Sequence, residues 1–303
     1  MVEILESSKK RGVATVAFNV NNMELVQAIT TAAEELKTPV ILQVTSGARK
    51  YAGDIYIRKL VDAAVESISI PVALHLDHGA DFEACKSAVD AGFTSVMIDG
   101  SHLPFAENIA ITKKVVDYAH AHGVSVEGEL GKIAGIEDNV SSATSAYTDP
   151  EMAKAFVLAT GVDALAISIG TAHGAFKYKP GSNPELRLDI LEKIHKNIPD
   201  TPLVLHGASS VTLTDVLTIN KYGGKIENAM GIPETVLAKT IPLGVQKINV
   251  DSDLRLAMTA ALRQYFVTNP THFDPRQYLD YARMHVRELV KVKLINYSTN
   301  SAR

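Results

Sequence analysis

Val72-Ala73-Leu74-His75-Leu76-Asp77-His78-Gly79 begins apolar, ends ionisable and stops at a glycine. That order reads as a strand with a buried start and a reactive carboxyl end. In closed barrels of parallel strands, the carboxyl ends carry the chemistry and the amino ends carry stability. Asp77 is then a candidate acid or base, and His78 a candidate metal ligand. His75 lies two residues before Asp77, on the same strand face, and reads as a core histidine or a support for the ligands. Alone, the stretch fits equally well a strand that simply meets water. Two later strands that end the same way tip the balance.

Working outward, strand-like and helix-like segments alternate. Strands are expected at 13–20, 39–45, 71–78, 94–100, 124–130, 164–170, 202–207 and 247–252. The first two close at Asn19 and at Ser46, the fourth at Asp99, and the fifth carries Glu127 and Glu129. Helical spacing follows each strand, as at Leu25, Val26, Ile29, Ala32, Ala33 and Leu36. Asp149 as N-cap, Pro150 at the first position and Gly161 past the end bracket one helix, and Gly92 and Gly123 close two others. Further helices are expected at 184–196 and, last, at 274–295. Eight strands, each followed by a helix and mostly apolar, predict an α/β chain folded as a closed (β/α)8 barrel of the TIM type, one domain over 1–303. The rival is an open doubly wound sheet. Its nucleotide-binding form needs a Gly-rich first turn, which Phe18-Asn19-Val20-Asn21-Asn22 is not.

Two connections are too long for plain linkers. The segment 131–148 holds Gly131, Gly135 and the acidic pair Glu137-Asp138; 222–244 holds Gly223-Gly224, Gly231 and Pro233. Long connections in compact domains are commonly lids or disordered. The first follows an acid-bearing strand end and reads as a mobile lid. The second reads as an insertion with a short helix near 233–240.

Composition narrows the function classes. Hydrophobic residues at 46% and charged residues at 21% suit a well-buried globular core. A net charge of −4 gives no general attraction to nucleic acid or anionic membrane. The single cysteine, Cys85, excludes an internal disulfide and falls in a helical pattern as a small buried hydrophobe. Asn139-Val140-Ser141 fits a glycosylation sequon, but MVEILESSKKRG is no signal peptide and no apolar run approaches the ~20 residues of a membrane span. A cytoplasmic soluble protein is expected.

Of ten histidines, His78, His173 and His206 each close a strand-like stretch and each precede a glycine. Three histidines at one barrel mouth make an open catalytic zinc site, although cobalt, iron and nickel also suit imidazole. The competing reading is three unrelated polar strand ends, since His120, His122, His195 and His272 are expected at the surface. Asp99 and Glu129 could orient the histidines, take the metal in an alternate position, or be structural carboxylates. Gly207-Ala208-Ser209-Ser210 and Asn249-Val250-Asp251-Ser252 each precede a helix, where free N–H groups suit a phosphate. Gly174 and Lys177 could add to that cradle. Arg255 and Arg276 are candidates for a second phosphate, with a solvated charge the competing reading for Arg276. No expected strand ends in lysine: Lys247 starts its strand and Lys177 lies in a loop. A Schiff-base route therefore lacks its amine, and a carbanion here would need a metal as electron sink.

The motifs Leu74-His75-Leu76-Asp77-His78-Gly79, Met97-Ile98-Asp99-Gly100-Ser101, Val126-Glu127-Gly128-Glu129-Leu130-Gly131, Gly170-Thr171-Ala172-His173-Gly174, Leu205-His206-Gly207-Ala208-Ser209 and Lys247-Ile248-Asn249-Val250-Asp251 resemble the class II, metal-dependent fructose-bisphosphate aldolases in their shorter bacterial-type form. The resemblance runs from Phe18-Asn19 to Asp274-Pro275-Arg276. It implies reversible cleavage of fructose 1,6-bisphosphate to dihydroxyacetone phosphate and glyceraldehyde 3-phosphate, in glycolysis and gluconeogenesis, with zinc stabilising the enediolate. It places zinc on His78, His173 and His206, and a second or displaced divalent ion on Asp99 and Glu129. It makes Asp77 the proton shuttle for the aldehyde oxygen and Glu137 the mobile-loop acid, although Ala134 stands where the family usually has a glycine. Substrate contacts are implied at Asn19, Ser46, Gly174, Lys177, Gly207, Ala208, Ser209, Asn249, Val250, Asp251, Ser252, Arg255 and Arg276. Gly174, Gly207 and Ser209 also match a monovalent-cation site for Na+ or K+. The family's shorter form implies a homodimer or homotetramer, in which Arg276 would reach a neighbour's site.

Within the family the rival is tagatose-bisphosphate aldolase, which differs at one hydroxyl configuration. Asp251 followed by Arg255 resembles the fructose type, and an aspartate beside C4 discriminates by hydrogen bonding. Outside it stand a metal-dependent hydrolase on the same barrel and a sugar-phosphate-binding protein without catalysis.

Overall fold

The computed structural model describes residues 1–137, 140–142, 146–176 and 184–299. In chain order the elements are α1 (Val2–Arg11), β1 (Thr15–Asn19), α2 (Met23–Glu35), β2 (Val40–Thr45), α3 (Ser46–Ala52), α4 (Asp54–Glu66), β3 (Val72–Gly79), α5 (Phe82–Asp90), β4 (Ser95–Ile98), α6 (Phe105–Ala121) and β5 (Ser125–Leu130). They continue with β6 (Ala134–Glu137), β7 (Val140–Ser142), α7 (Pro150–Thr160), β8 (Ala164–Ile167), β9 (Ala172–His173), α8 (Leu188–Asn197), β10 (Leu203–Leu205), α9 (Leu213–Lys221), α10 (Glu234–Ala238), β11 (Val245–Val250), α11 (Ser252–Thr268) and α12 (Pro275–Ser298). Eight parallel strands close a barrel in the order β1-β11-β10-β8-β5-β4-β3-β2. A separate small sheet, β7-β6-β9, stands beside it. This is a (β/α)8 TIM barrel.

Period-2 geometry divides the strand residues into two rows. The outer row, including Val16, Phe18, Leu42, Leu74, Val126, Leu165 and Ile248, is branched or aromatic and packs under the helices. The inner row starts small: Ala17, Ala73, Ala164 and Ala166, with Ile41, Met97 and Val204, form their own cluster with Ile4 and Leu5 of α1. Higher up it turns polar, with Gln43, His75, Asp77, Glu127, Glu129, Lys247 and Asn249 all buried. The helix α1, which the sequence pattern did not reveal, thus plugs the amino-terminal end of the barrel.

The punctuation residues behave as expected. Asp149 accepts from the Glu151 and Met152 amides, and Gly161 ends α7 at φ 72°. Gly92 takes φ 85° just past α5. Other boundaries move. The helix expected at 184–196 begins only at Leu188, because the Arg187 amide is tied to the Ile169 carbonyl and holds the preceding chain on the barrel. The last helix runs from Pro275 to Ser298. The eighth barrel strand starts at Val245, so Lys247 lies within it and points into the barrel. Ser46 opens α3, capped by Thr45, which accepts from the Ala48 amide. His195 is half-buried, not at the surface.

Candidate metal centre and active site

His78 sits at a bulge. The β3–β4 register shifts between Leu76 and Gly79, and His78 takes φ 48°, a left-handed conformation that costs about 1–3 kcal/mol in a side-chain-bearing residue. Gly79 makes the bulge possible, since a Cβ there would fall 2.4 Å from the Met97 carbonyl. The bulge aims the imidazole inward. His78, His173 and His206 are all buried, and each offers a ligand atom within 4.8 Å of the others.

The hydrogen bonds fix the tautomers. His78 Nδ1 donates to Asp99 Oδ2 at 3.0 Å, and His206 Nε2 donates to Glu127 Oε1 at 2.7 Å. With protons on those nitrogens, His78 Nε2 and His206 Nδ1 face each other at 3.0 Å as lone pairs. Burial, then the neighbouring His78 and Lys247, pushes the His206 pKa well below its usual value, so this ring is neutral. Asn249 Nδ2 also lies 3.0 Å from His206 Nδ1 and can donate to it, so a metal ion on that nitrogen would take the place of this hydrogen bond. With His173 as third donor, the set fits a divalent metal with an open position. Glu127 is held in turn by Lys247 Nζ at 2.8 Å, and that ammonium also faces His75 Nε2 at 3.4 Å. His75 is therefore a buried support and belongs to neither candidate ligand group.

A second group shares His78. His78, Asp99 and Glu129 also bring ligand atoms within 4.8 Å of one another. Burial alone would raise Asp99, but hydrogen bonds from His78 and Ser101 outweigh it and hold the acid below the usual carboxylate range. Glu129 goes the other way: burial, reinforced by the Asp99 charge, pushes it well above its usual value. Its Oε2 is buried with no hydrogen-bond partner. Asn108 of α6 fixes this strand end by donating to the Glu129 carbonyl at 2.9 Å.

Asp77 is fully buried. Its Oδ2 accepts from Asn19 Nδ2 at 2.8 Å and from Gln43 Nε2 at 3.1 Å. Its Oδ1 has a longer contact to Asn249 Nδ2, 3.4 Å, and lies 4.0 Å from His206 Nδ1. One oxygen is thus tied down and the other faces the metal position. Gln43 Oε1 and Asn249 Oδ1 are buried acceptors with no hydrogen-bond partner.

The loop after β5 is seated on the candidate metal centre. β6 pairs in parallel with β9, Gly135 opposite His173. A Cβ at Gly135 would fall 2.4 Å from the His173 carbonyl, and φ is 109° there. Glu137 ends β6, but its side chain lies outside the described residues, as does Lys177.

The phosphate-loop reading needs a correction. The Ser210 amide, expected to be free, donates to Asp253 at 3.0 Å, and the next amide, Val211, does so at 2.6 Å. The α9 helix begins only at Leu213, so its amino end is not directly joined to Gly207-Ala208-Ser209. Ser209 Oγ accepts from the Asp251 amide at 3.3 Å, which joins the two expected phosphate loops. The 222–244 segment is no mere insertion: the Met230 amide bonds the Ala175 carbonyl and the Ile232 amide bonds Ser209. Asp251 is the N-cap residue of α11, but its carboxylate makes no capping hydrogen bond and instead grips Arg255 in a two-point ion pair at 2.8 and 2.7 Å. Arg276 is exposed and paired with Asp274 within its own turn, beside Met23 and Glu24 at the start of α2. Cys85 is buried, its thiol pushed up to about 12 by burial, and is inert as a nucleophile.

The family model for class-II fructose-bisphosphate aldolase matches residues 1–301. The chain belongs to the class-II fructose-bisphosphate aldolase family. It is 50% identical over 293 residues to a fructose-bisphosphate aldolase of Giardia intestinalis, covering 96% of this chain and 90% of that one. It is 48% identical over 304 residues to a fructose-bisphosphate aldolase of Treponema pallidum, covering 95% and 92%. Among solved structures, the YdjI aldolase from Escherichia coli K12 superposes with a TM-score of 0.81 at 29% identity, covering 100% of this chain and 98% of that one.

Three residues of this aldolase site were given no role in the sequence reading: Gln43 beside Asp77, Glu127 as a partner of His206, and Lys247. The signal was present. Each lies two residues before a recognised strand-end position, namely Thr45, Glu129 and Asn249, and so on the same inner face. Gly135 yields a first test. Gly135→Ala is expected to displace His173 and cut aldolase turnover about 10²-fold, the scale of a 1 Å misplacement at a reacting centre. Steady-state kinetics checks this, and unchanged turnover would mean the loop can sit elsewhere without cost.

Proposed function

We propose that this aldolase cleaves fructose 1,6-bisphosphate reversibly to dihydroxyacetone phosphate and glyceraldehyde 3-phosphate, with zinc on His78, His173 and His206 and with Asp77 as acid and base. The observation that carries the reading is the pairing of a buried carboxylate with the three-histidine centre. Asp77 Oδ2 is pinned by two amides while Oδ1, 4.0 Å from His206 Nδ1, faces the centre. When bound, zinc supplies the positive charge that polarises a ketose carbonyl.

This chain's residues do the rest. Asp77 holds or releases a proton at Oδ1, next to the aldehyde oxygen. Asn249 Oδ1 and Gln43 Oε1, buried acceptors without a protein partner, fit substrate hydroxyls. Asn19 holds Asp77 in place, and Ser46, just past the register partner of Asp77, lines the same rim. Gly174, Gly207, Ala208 and Ser209, with Asn249, Val250 and Ser252, take one phosphate; Lys177, Arg255 and a neighbour-facing Arg276 serve the other. Glu137, on the β6 loop, moves the carbanion proton. Asp251, fixed by Arg255, accepts from the C4 hydroxyl of the fructose configuration, which disfavours tagatose. We further assign a second divalent position to Asp99 and Glu129, and a monovalent cation (Na+ or K+) to Gly174, Gly207 and Ser209. We read 1–303 as one domain acting in the cytoplasm as a homodimer or homotetramer. No described helix is long and apolar enough to cross a membrane.

A coupled assay of triose phosphate release from fructose and tagatose 1,6-bisphosphates, with and without EDTA, tests the reading. Activity should favour fructose, vanish with EDTA and return with Zn2+. Activity that survives verified metal removal would overturn the metal assignment. A tagatose preference would overturn only the role of Asp251.

A further inference from the structure

Behind the phosphate loop lies a buried ionic cluster that no step of the reaction uses. Lys293 of α12 is 1% exposed. Its Nζ contacts Asp253 Oδ2 of α11 at 2.6 Å and Glu234 Oε1 of α10 at 2.7 Å, and also touches Ser210 Oγ. Asn296, one turn on, donates to the other Glu234 oxygen. Burial would strip the proton from this lysine, but Asp253 and then Glu234 hold it as ammonium.

The cluster ends on the loop backbone. Asp253 Oδ2 and Oδ1 accept from the Ser210 and Val211 amides. Val211 sits at φ 54°, a conformation that a β-branched residue avoids. On the other side the loop rests on the backbone of 230–232, where a Cβ on Gly231 would fall 2.3 Å from the Ser209 carbonyl. Met230 carries the brace on to Ala175, next to Gly174. A strained loop held by a carboxylate needs that carboxylate to be fixed and charged, and Lys293 meets both needs.

We propose that Lys293 is a positioning residue for phosphate binding: its ammonium locks Asp253 and Glu234, and Asp253 then holds Ser210 and Val211 so that Gly207–Ser209 present their polar groups to the anion. The proposal rests on the reading of that loop as the phosphate cradle, so its test separates the two.

The experiment uses the full-length, zinc-loaded enzyme and inorganic phosphate as a competitive inhibitor. Lys293→Met should raise both KM and the phosphate inhibition constant about tenfold, the loss of roughly one charge-assisted hydrogen bond, with kcat within about threefold. A lower melting temperature with unchanged KM and phosphate inhibition would show a merely structural lysine and overturn the proposal. Should Lys293→Met fail to fold, Glu234→Gln removes one arm without stranding a charge. It should weaken phosphate inhibition about threefold, and no change there overturns the proposal equally. Ser209→Ala is the control for the cradle. If it weakens phosphate binding while the Lys293 and Glu234 variants do not, the positioning role fails alone. If it leaves phosphate binding unchanged, the cradle reading fails and takes the proposal with it.

Discussion

Asp77→Ala is expected to cut turnover of fructose 1,6-bisphosphate by about 10²–10⁴-fold while the protein keeps its metal. The size follows from the loss of a positioned acid and base. The retention of metal follows from the geometry: Asp77 belongs to neither candidate ligand group, and its nearest approach to His206 is 4.0 Å. The variant does strand one buried amide donor, Asn19 Nδ2, and takes one of two acceptors from Gln43 Nε2, which keeps Asn19 Oδ1. Asp77→Asn, which keeps the volume, is therefore the companion; it should lose comparable activity with less loss of stability. Turnover and zinc content, measured on the same samples, check both. Near-normal turnover in either variant would remove Asp77 from the mechanism.

Lys247→Met should have the largest effect on the fold. Glu127 and Lys247 are both fully buried and 2.8 Å apart. Removing one partner of such a pair costs about 3–5 kcal/mol, because the other charge is left without compensation. The damage should also reach the metal. A stranded Glu127 would take up a proton rather than stay charged. It would then donate to His206 Nε2, which now donates to it, and the imidazole proton would move to Nδ1, the nitrogen facing His78. That tautomer cannot bind a cation at Nδ1, so zinc affinity should fall about 10–100-fold, the usual loss when a ligand's supporting partner is removed. Urea unfolding and chelator competition measure the two effects separately. The double variant Lys247→Met with Glu127→Gln, which strands no charge, should recover most of the stability. A single-variant loss below about 1 kcal/mol would show that Glu127 finds another partner.

These residues also show how far the sequence could be read. The barrel was legible because helices and strands announce themselves by period and by punctuation, as at Asp149, Pro150, Gly161 and Gly92. The plug α1 was not: only Ile4, Leu5 and Ser8 are buried in it, too few for a periodic stripe, and its partners are inner-row side chains scattered over six strands. The short α3 buries no residue at all and depends on the Thr45 cap. Strand-end residues such as Asp77, His78 and His206 stood out because a polar group after an apolar run is a visible break. Gln43 and Glu127 were visible near strand ends but no partner marked their role, and Lys247 was read as the start of its strand, away from the chemistry. The Lys293 cluster was out of reach, since it joins Ser210, Glu234, Asp253 and Lys293 across three helices and a loop, and nothing local in any of them marks the others.

The interior lysine has a broader consequence. This barrel does contain a primary amine, within two side chains of where a ketose carbonyl is expected to lie: Lys247 reaches Glu127, and Glu127 reaches His206. Covalent aldol chemistry asks such an amine for its lone pair. Folding has instead spent it as the counter-ion that fixes the tautomer of His206, a candidate metal ligand. In this interior, then, the two known ways of stabilising a carbanion draw on the same nitrogen, and choosing the metal forecloses the imine.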